Sequence, residues 1–79
     1  MRPVEGFPAG RFMVMPLAKA VSPGHWQAAL ALSSEGVAER DWTFEQDFHT
    51  RREAMDFAVT QGELWASDPQ EYLEPRLSP

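Results

Sequence analysis

The sequence predicts an α+β fold, in which a three-stranded antiparallel meander is followed by one C-terminal amphipathic helix packed on one face (β-β-β-α). A Pro-Gly turn signal at residues 23–24 separates two apolar segments. Residues 42–48 alternate between aromatic and polar side chains, and a helix-capping motif begins at Thr50. A chain of 79 residues makes one small domain at most, so these elements should share a single core.

The first predicted strand, residues 11–21, is apolar at both odd and even positions. Its inward face is therefore ambiguous, because a strand turns successive side chains to opposite faces. Two inward-facing sets are compatible with the sequence: Phe12 and Val14, or Met13, Met15 and Leu17. Pro16 lacks an N–H group, which favours an edge strand or a bulge at this position.

The turn after this strand has Pro and Gly at the two central positions of a type II turn, Ser22-Pro23-Gly24-His25. A bare type II turn splays a hairpin, which favours a longer loop here. The second predicted strand, residues 26–32, carries its larger apolar side chains at even positions. Its length between two turn signals favours a strand over a helix. Residues 33–36 then form a turn.

The third predicted strand, residues 40–49, has the clearest period-two pattern in the chain, with one aromatic and one acidic face. The helix follows directly. Thr50 lies three residues before Glu53, which matches a capping box. Apolar residues of one helical face follow, Gly62 weakens the last turn, and Asp68 before a proline ends the helix. The predicted core is Trp26, Leu30, Leu32, Trp42, Phe44, Phe48, Phe57, Leu64 and Trp65.

Both ends of the chain differ from the middle in composition. Residues 1–10 contain two Pro and two Gly, which predicts a flexible N-terminal segment. Residues 69–79 form a Pro-rich C-terminal tail, which Tyr72 and Leu73 could tie down. The single β-β-β-α domain is therefore expected over residues 11–68.

One helix leaves the second face of a three-stranded sheet uncovered. Whichever register the first strand adopts, a row of its apolar side chains points away from the helix, and such rows often mark partner contacts. The alternative is that a terminal segment covers this row, either Tyr72 and Leu73 or Val4 and Phe7. The candidate interaction surface comprises Met13, Met15, Ala29, Ala31, Arg40, Arg51 and Arg52.

The charge distribution argues against a general nucleic-acid binder. The net charge is −5, and residues 35–74 hold eleven acidic but only three basic side chains. Arg51 and Arg52 open the predicted helix and Arg40 opens the third strand, so a basic cluster with Arg11 and Lys19 is one alternative. Pairing of these cations with neighbouring acids is the simpler interpretation.

Enzyme, cofactor and metal functions lack support in the sequence. Cysteine is absent, which excludes thiolate chemistry. Glu45, Asp47 and His49 share one predicted strand face, but successive side chains on a strand lie about 7 Å apart, too far for one metal ion. No nucleophile motif or phosphate-binding loop occurs. No apolar run could span a membrane and no secretory signal is visible, so we expect a cytoplasmic protein.

The order of elements, with residues 42–44 leading to Thr50 and the helix start Glu53-Ala54-Met55-Asp56-Phe57-Ala58, resembles short uncharacterised bacterial β-β-β-α proteins. The topology is also similar to a double-stranded RNA-binding fold without its first helix, and to the arm-type DNA-binding domains of integrases. Those families usually read nucleic acid through basic surfaces, whereas the third strand here is acidic and lysine occurs once. The resemblance therefore implies a fold and transfers no catalytic residue.

The leading hypothesis is a small non-enzymatic interaction domain, without a cofactor, that self-associates as a homodimer through the open sheet face or an edge strand. The alternative hypothesis is a nucleic-acid-associated module that uses the arginines at the helix N-terminus.

Overall fold

The computed structural model describes residues 6–35 and 37–77, and it has an α+β architecture. Four antiparallel strands follow one another across one sheet in chain order: β1 (Phe7–Ala9), β2 (Phe12–Ser22), β3 (His25–Ser34) and β4 (Val37–Phe48). The helices follow the sheet: α1 (Arg51–Ser67), α2 (Pro69–Tyr72) and α3 (Glu74–Leu77). The fold class is confirmed, whereas the expected three strands are corrected to four.

The additional strand, β1, lies inside the segment that the composition predicted to be flexible. Phe7 pairs with Val14 and Ala9 pairs with Phe12. Ala9 is buried, and Gly10, with a φ of 64°, makes the tight turn into β2. Three residues that include a proline are too short to show strand periodicity, which explains why the sequence pattern missed this element.

The structure resolves the register of β2. Val14 pairs with Leu32 and Pro16 pairs with Leu30, and all four side chains are buried. Paired residues share a face, and Leu30 lies near α1, so this set faces the helix. Met13, Met15 and Leu17 therefore point to the opposite face. Within the described residues β1 pairs with β2 only as far as Val14, so Pro16 lies where β2 has no neighbour on that side.

The β2–β3 hairpin has the predicted turn residues at its tip. Ser22 pairs with His25 across Pro23 and Gly24, and Gly24 has a φ of 77°, as the third position of a type II turn requires. The loop is thus two residues long rather than longer. An irregularity between Ala20 and Ser22 sits next to the turn, and we infer that this bulge accommodates the mismatch in twist.

Helix α1 begins at the predicted capping box. The Thr50 hydroxyl accepts a hydrogen bond from the Glu53 N–H at 3.1 Å, and the Glu53 carboxylate accepts one from the Thr50 N–H at 3.2 Å. The buried stripe of α1 is made mostly of small residues: Ala54, Ala58, Gly62 and Trp65. Small side chains let the helix lie close to the sheet.

Gly62 has a packing role that its low helix propensity does not reveal. A Cβ atom at this position would lie 2.9 Å from Cδ2 of Phe7, closer than van der Waals contact allows. Because Gly62 has no side chain, the Phe7 ring of β1 fits between α1 and the sheet.

The core differs from the predicted set at its edges. Leu30, Leu32 and Trp65 are fully buried, and aromatic side chains of β4 pack against them. The Trp42 and Trp65 ring centroids are 5.3 Å apart in an edge-to-face arrangement. Leu64 is exposed, contrary to the prediction, because the stripe of small residues rather than Leu64 faces the sheet.

The segment after α1 folds back onto the helical layer. The Asp68 carboxylate caps α2 by accepting from the Glu71 N–H at 3.2 Å. Leu73 is buried in the core, as the sequence analysis allowed for part of the tail. The Arg76 guanidinium lies 4.3 Å from the centroid of the Trp65 ring. Residues 69–77 thus add to the layer formed by α1.

Candidate interaction surface

The sheet face that α1 leaves uncovered, termed the open face, carries four of the seven candidate residues. Met15 pairs with Ala31 and Met13 pairs with Ser33 across β2 and β3. Ala29 lies on the same face, because it pairs with Leu17 on β2 and with Thr43 on β4. The structure therefore brings Met13, Met15, Ala29 and Ala31 together on adjacent strands.

Long and short side chains occupy separate strands of the open face. Met13, Met15 and Leu17 form an apolar ridge along β2, and Met13 is 40% exposed. Ala29, Ala31 and Ser33 form a shallow groove along the neighbouring β3. Methionine side chains are flexible and adapt to varied surfaces. The open face thus offers a projecting apolar ridge beside a lower strip of small residues.

Lys19 crosses the groove from β2 to β4. Its Nζ lies 3.2 Å from Thr43 Oγ1 and 3.4 Å from Asp41 Oδ2. Both acceptors lie on β4, so the aliphatic part of Lys19 passes over β3 beside Ala29, which is fully buried. The ion pair itself is exposed, which makes it a weak interaction.

The far end of the open face is polar. Gln27 pairs with Lys19 on one side and with Asp47 on the other. Its Nε2 donates to Asp47 Oδ1 at 3.1 Å, and His25 Nδ1 lies 4.0 Å from Asp47 Oδ2. Among the described residues, the lysine of this face thus lies on β2, whereas Asp41 and Asp47 lie on β4.

The three candidate arginines do not share this surface. Arg40 donates to the Arg76 carbonyl oxygen at 2.6 Å and lies 5.8 Å from the Trp42 ring, near the C-terminal turns of α1. Arg51 and Arg52 open α1 at its other end. α1 has 17 residues and is therefore about 25 Å long by its rise per residue.

The two remaining cations of the proposed basic cluster also lie elsewhere. Arg11 sits over the Phe12 ring at 4.7 Å, next to the β1–β2 turn. Lys19 is on the open face with Asp41. The five cations are thus dispersed over the molecule, and the cluster on which the nucleic-acid alternative depends does not form.

In the described part of the chain, the carboxylates of β4 are not grouped with His25 of β3 or His49 after β4 in a way that could hold a metal ion. Within residues 6–35 and 37–77, no group of three or more His, Asp or Glu side chains could hold a metal ion. The two-residue irregularity of β4 lies between Thr43 and Asp47, around Glu45. Asp47 instead bonds to Gln27.

Sequence reasoning missed the polar contacts of the open face. Lys19 with Asp41 and Gln27 with Asp47 join residues about 20 positions apart. An opposite-charge pair across a strand is a usable signal only when the register is known. The ambiguous register of β2 concealed the Lys19 contact, whereas the Gln27 contact depends on the register shift between β3 and β4.

No protein-family model matches the chain, and comparison with the curated proteins and with the solved structures gives no significant match. Among the described residues, no helix is both long and apolar enough to cross a lipid bilayer. Functional inference therefore depends on the surface itself.

Proposed function

We propose that this protein is a small non-enzymatic interaction domain that forms a homodimer through its open face. The observation that carries the proposal is the apolar ridge of Met13, which is 40% exposed, and the half-buried Met15 and Leu17, on a sheet face that no helix of the described residues covers. Contiguous apolar surface of this kind is typical of protein–protein contacts. The adjacent groove on β3 gives the face a shape that can receive the same ridge from a second copy.

The terminal segments support this proposal by where they lie. Phe7 packs beside Gly62 on the helix side of the sheet, and Leu73 belongs to the core under α1. Tyr72 packs against that same core. Phe7, Tyr72 and Leu73 therefore contact the opposite layer, whereas Gly6, without a side chain, lies beside Met13 on the open face. Val4, the other residue considered for this role, lies outside the described part of the chain.

The open face is a better candidate than the edge of β4. In the described part of the chain no strand pairs with the outer edge of β4. An antiparallel pair of two β4 strands centred on Phe44 would set Asp41 opposite the partner's Asp47 in both halves. Like charges directly opposite each other destabilise a strand pair, so the acids disfavour self-pairing of this edge in that register.

The size of the open face predicts a weak dimer. Three strands spaced about 4.8 Å apart, and about 30 Å long, cover roughly 430 Å² per copy. Interfaces of this size fall below the usual range for stable complexes, about 800 Å² per partner. We therefore expect association in the micromolar range or weaker, with monomer and dimer in rapid exchange.

A matched pair of substitutions tests the proposed surface. Met13 and Leu64 are 40% and 39% exposed, but Met13 lies on the open face and Leu64 lies on α1. Met13→Asp should abolish the dimer in light scattering over a concentration series, because it buries an unpaired charge in the contact. Leu64→Asp should leave the dimer intact. Equal effects of the two substitutions, or none from Met13→Asp, would contradict the proposal.

A further inference from the structure

The open face is electrically asymmetric across its strands. Among the described residues, the lysine of this face, Lys19, lies on β2, whereas Asp41 and Asp47 lie on β4. The ridge and the groove are divided in the same direction, with the ridge on β2 and the groove on β3. A dimer built from this face must therefore match both shape and charge.

Two open faces can stack symmetrically in two ways, which bring different strands, and therefore different side chains and charges, opposite each other. A two-fold axis perpendicular to the strands sets β2 over the β2 of the second copy and β4 over its β4. Ridge would then meet ridge, and carboxylates would meet carboxylates. A two-fold axis parallel to the strands, between β2 and β3, exchanges the two sides and sets β2 over β3.

We infer that two copies stack with their two-fold axis parallel to the strands, so that each ridge lies in the partner's groove and Lys19 approaches the partner's Asp47. This inference rests on the proposed function. Because Met15 and Ala31 are paired in one row, as are Leu17 and Ala29, the axis places each long side chain over the short one at its own level. Isologous contacts of this kind are the commonest in homodimers.

The same axis explains how the charges meet. Lys19, Gln27 and Asp47 occupy one row across three strands. After the rotation, Lys19 faces the partner's Gln27, and the partner's Asp47 lies one strand to the side, about 5 Å away by strand spacing and within reach of a lysine. Two equivalent cross-copy ion pairs result.

Dimerisation also requires Lys19 to move. In the single chain it bridges the groove to Thr43 and Asp41, where Leu17 of the second copy would have to enter. Exposed ion pairs of this type are weak, so little opposes the release of Lys19. The lysine thus exchanges an acceptor in its own chain for one in the second copy.

Complementary charge reversal tests this arrangement. Lys19→Glu alone and Asp47→Lys alone should each raise the dimer dissociation constant about tenfold or more at low salt, because like charges then face each other. An equimolar mixture of the two variants should form a heterodimer of near wild-type affinity, because both cross-copy pairs are then opposite in charge. Light scattering of each variant and of the mixture measures this.

Matched controls use exposed residues on the other layer. Arg52→Glu and Asp56→Lys change the charge equally but lie on α1. Each should dimerise like the unmodified chain, and mixing them should give no preferred heterodimer. Circular dichroism verifies that all four variants fold, and neutral Lys19→Gln and Asp47→Asn variants repeat the test without introducing a reversed charge: each should weaken the dimer and reduce its salt dependence.

The outcomes separate this inference from the proposed function. A wild-type chain that is monomeric at every concentration contradicts both. A wild-type dimer that is lost with Met13→Asp, but whose Lys19 and Asp47 variants do not recover on mixing, overturns the parallel axis and leaves the open face as the contact. Preferred heterodimer formation in the mixture supports the arrangement.

Discussion

The two faces of the sheet are built from the same strands but follow different packing rules. On the helix side, Val14, Leu30 and Leu32 are at most 1% exposed, and the facing stripe of α1 is made of alanine, glycine and one tryptophan. On the open face, alternate residues of the same strands form a ridge with Met13 40% exposed. The side chains of the first face are buried by contacts within the chain, whereas the second face retains partly exposed apolar surface.

Truncating a large side chain on each face should show the largest difference. Trp65→Ala removes the largest buried side chain and its edge-to-face contact with Trp42, and should lower the free energy of unfolding by about 3–5 kcal/mol. Met13→Ala on the open face, where Met13 is 40% exposed, should cost less than about 1 kcal/mol in the monomer. Urea unfolding of dilute protein, followed by circular dichroism, measures both.

If the two substitutions destabilised the monomer equally, the open face would be part of the core and the distinction between the faces would fail. Trp65→Phe serves as the milder variant if Trp65→Ala leaves too little folded protein to measure.

A smaller effect tests how closely α1 packs against the sheet at Gly62. Gly62→Ala should destabilise the protein by about 1 kcal/mol, although alanine favours a helix, because the new Cβ meets the Phe7 ring. With Phe7→Ala already present, the same substitution should become stabilising by up to about 1 kcal/mol. A double-mutant cycle on the free energy of unfolding measures the coupling.

Additive effects of these two substitutions would mean that Phe7 does not dock under α1. The position of β1 on the helix side would then be wrong, and Phe7 would become available to cover the open face.

The helix cap provides the smallest and most selective test. Thr50→Ala removes the hydroxyl that accepts from Glu53 N–H, and should lower the free energy of unfolding by about 1 kcal/mol. It should leave the dimer dissociation constant unchanged, because Thr50 caps α1 on the helix side of the sheet, away from the open face. Thr50→Ser, which keeps the hydroxyl, is the matched control. A change in dimer affinity with Thr50→Ala would show that the two layers are coupled.

Local sequence patterns predicted the elements that are determined by interactions between residues close in sequence. The alternation from Trp42 to Phe48, the Pro23-Gly24 turn and the Thr50 cap each have a short-range physical cause, and all three are confirmed. β2 could not be oriented because both of its parities are apolar. The orientation of β2 is determined by its pairing with β3, in which Val14 lies opposite Leu32, so it cannot be read from the residues of β2 alone.

The candidate surface was predicted in part for the same reason. Met13, Met15, Ala29 and Ala31 meet because alternation places them on one face once the register is known. Arg40 was grouped with Arg51 and Arg52 on the basis of strand and helix starts, but α1 runs back along the sheet and separates them by its length. The contact of Lys19 with Asp41 required the three-dimensional arrangement.

Self-association through the open face is tested by the molar mass of the unmodified chain in solution, measured by light scattering over a concentration series from nanomolar to near millimolar. The open-face account predicts a rise from the mass of one 8.9 kDa chain towards twice that value, with a midpoint in the micromolar range or above. A mass that stays at 8.9 kDa throughout would contradict self-association through the open face.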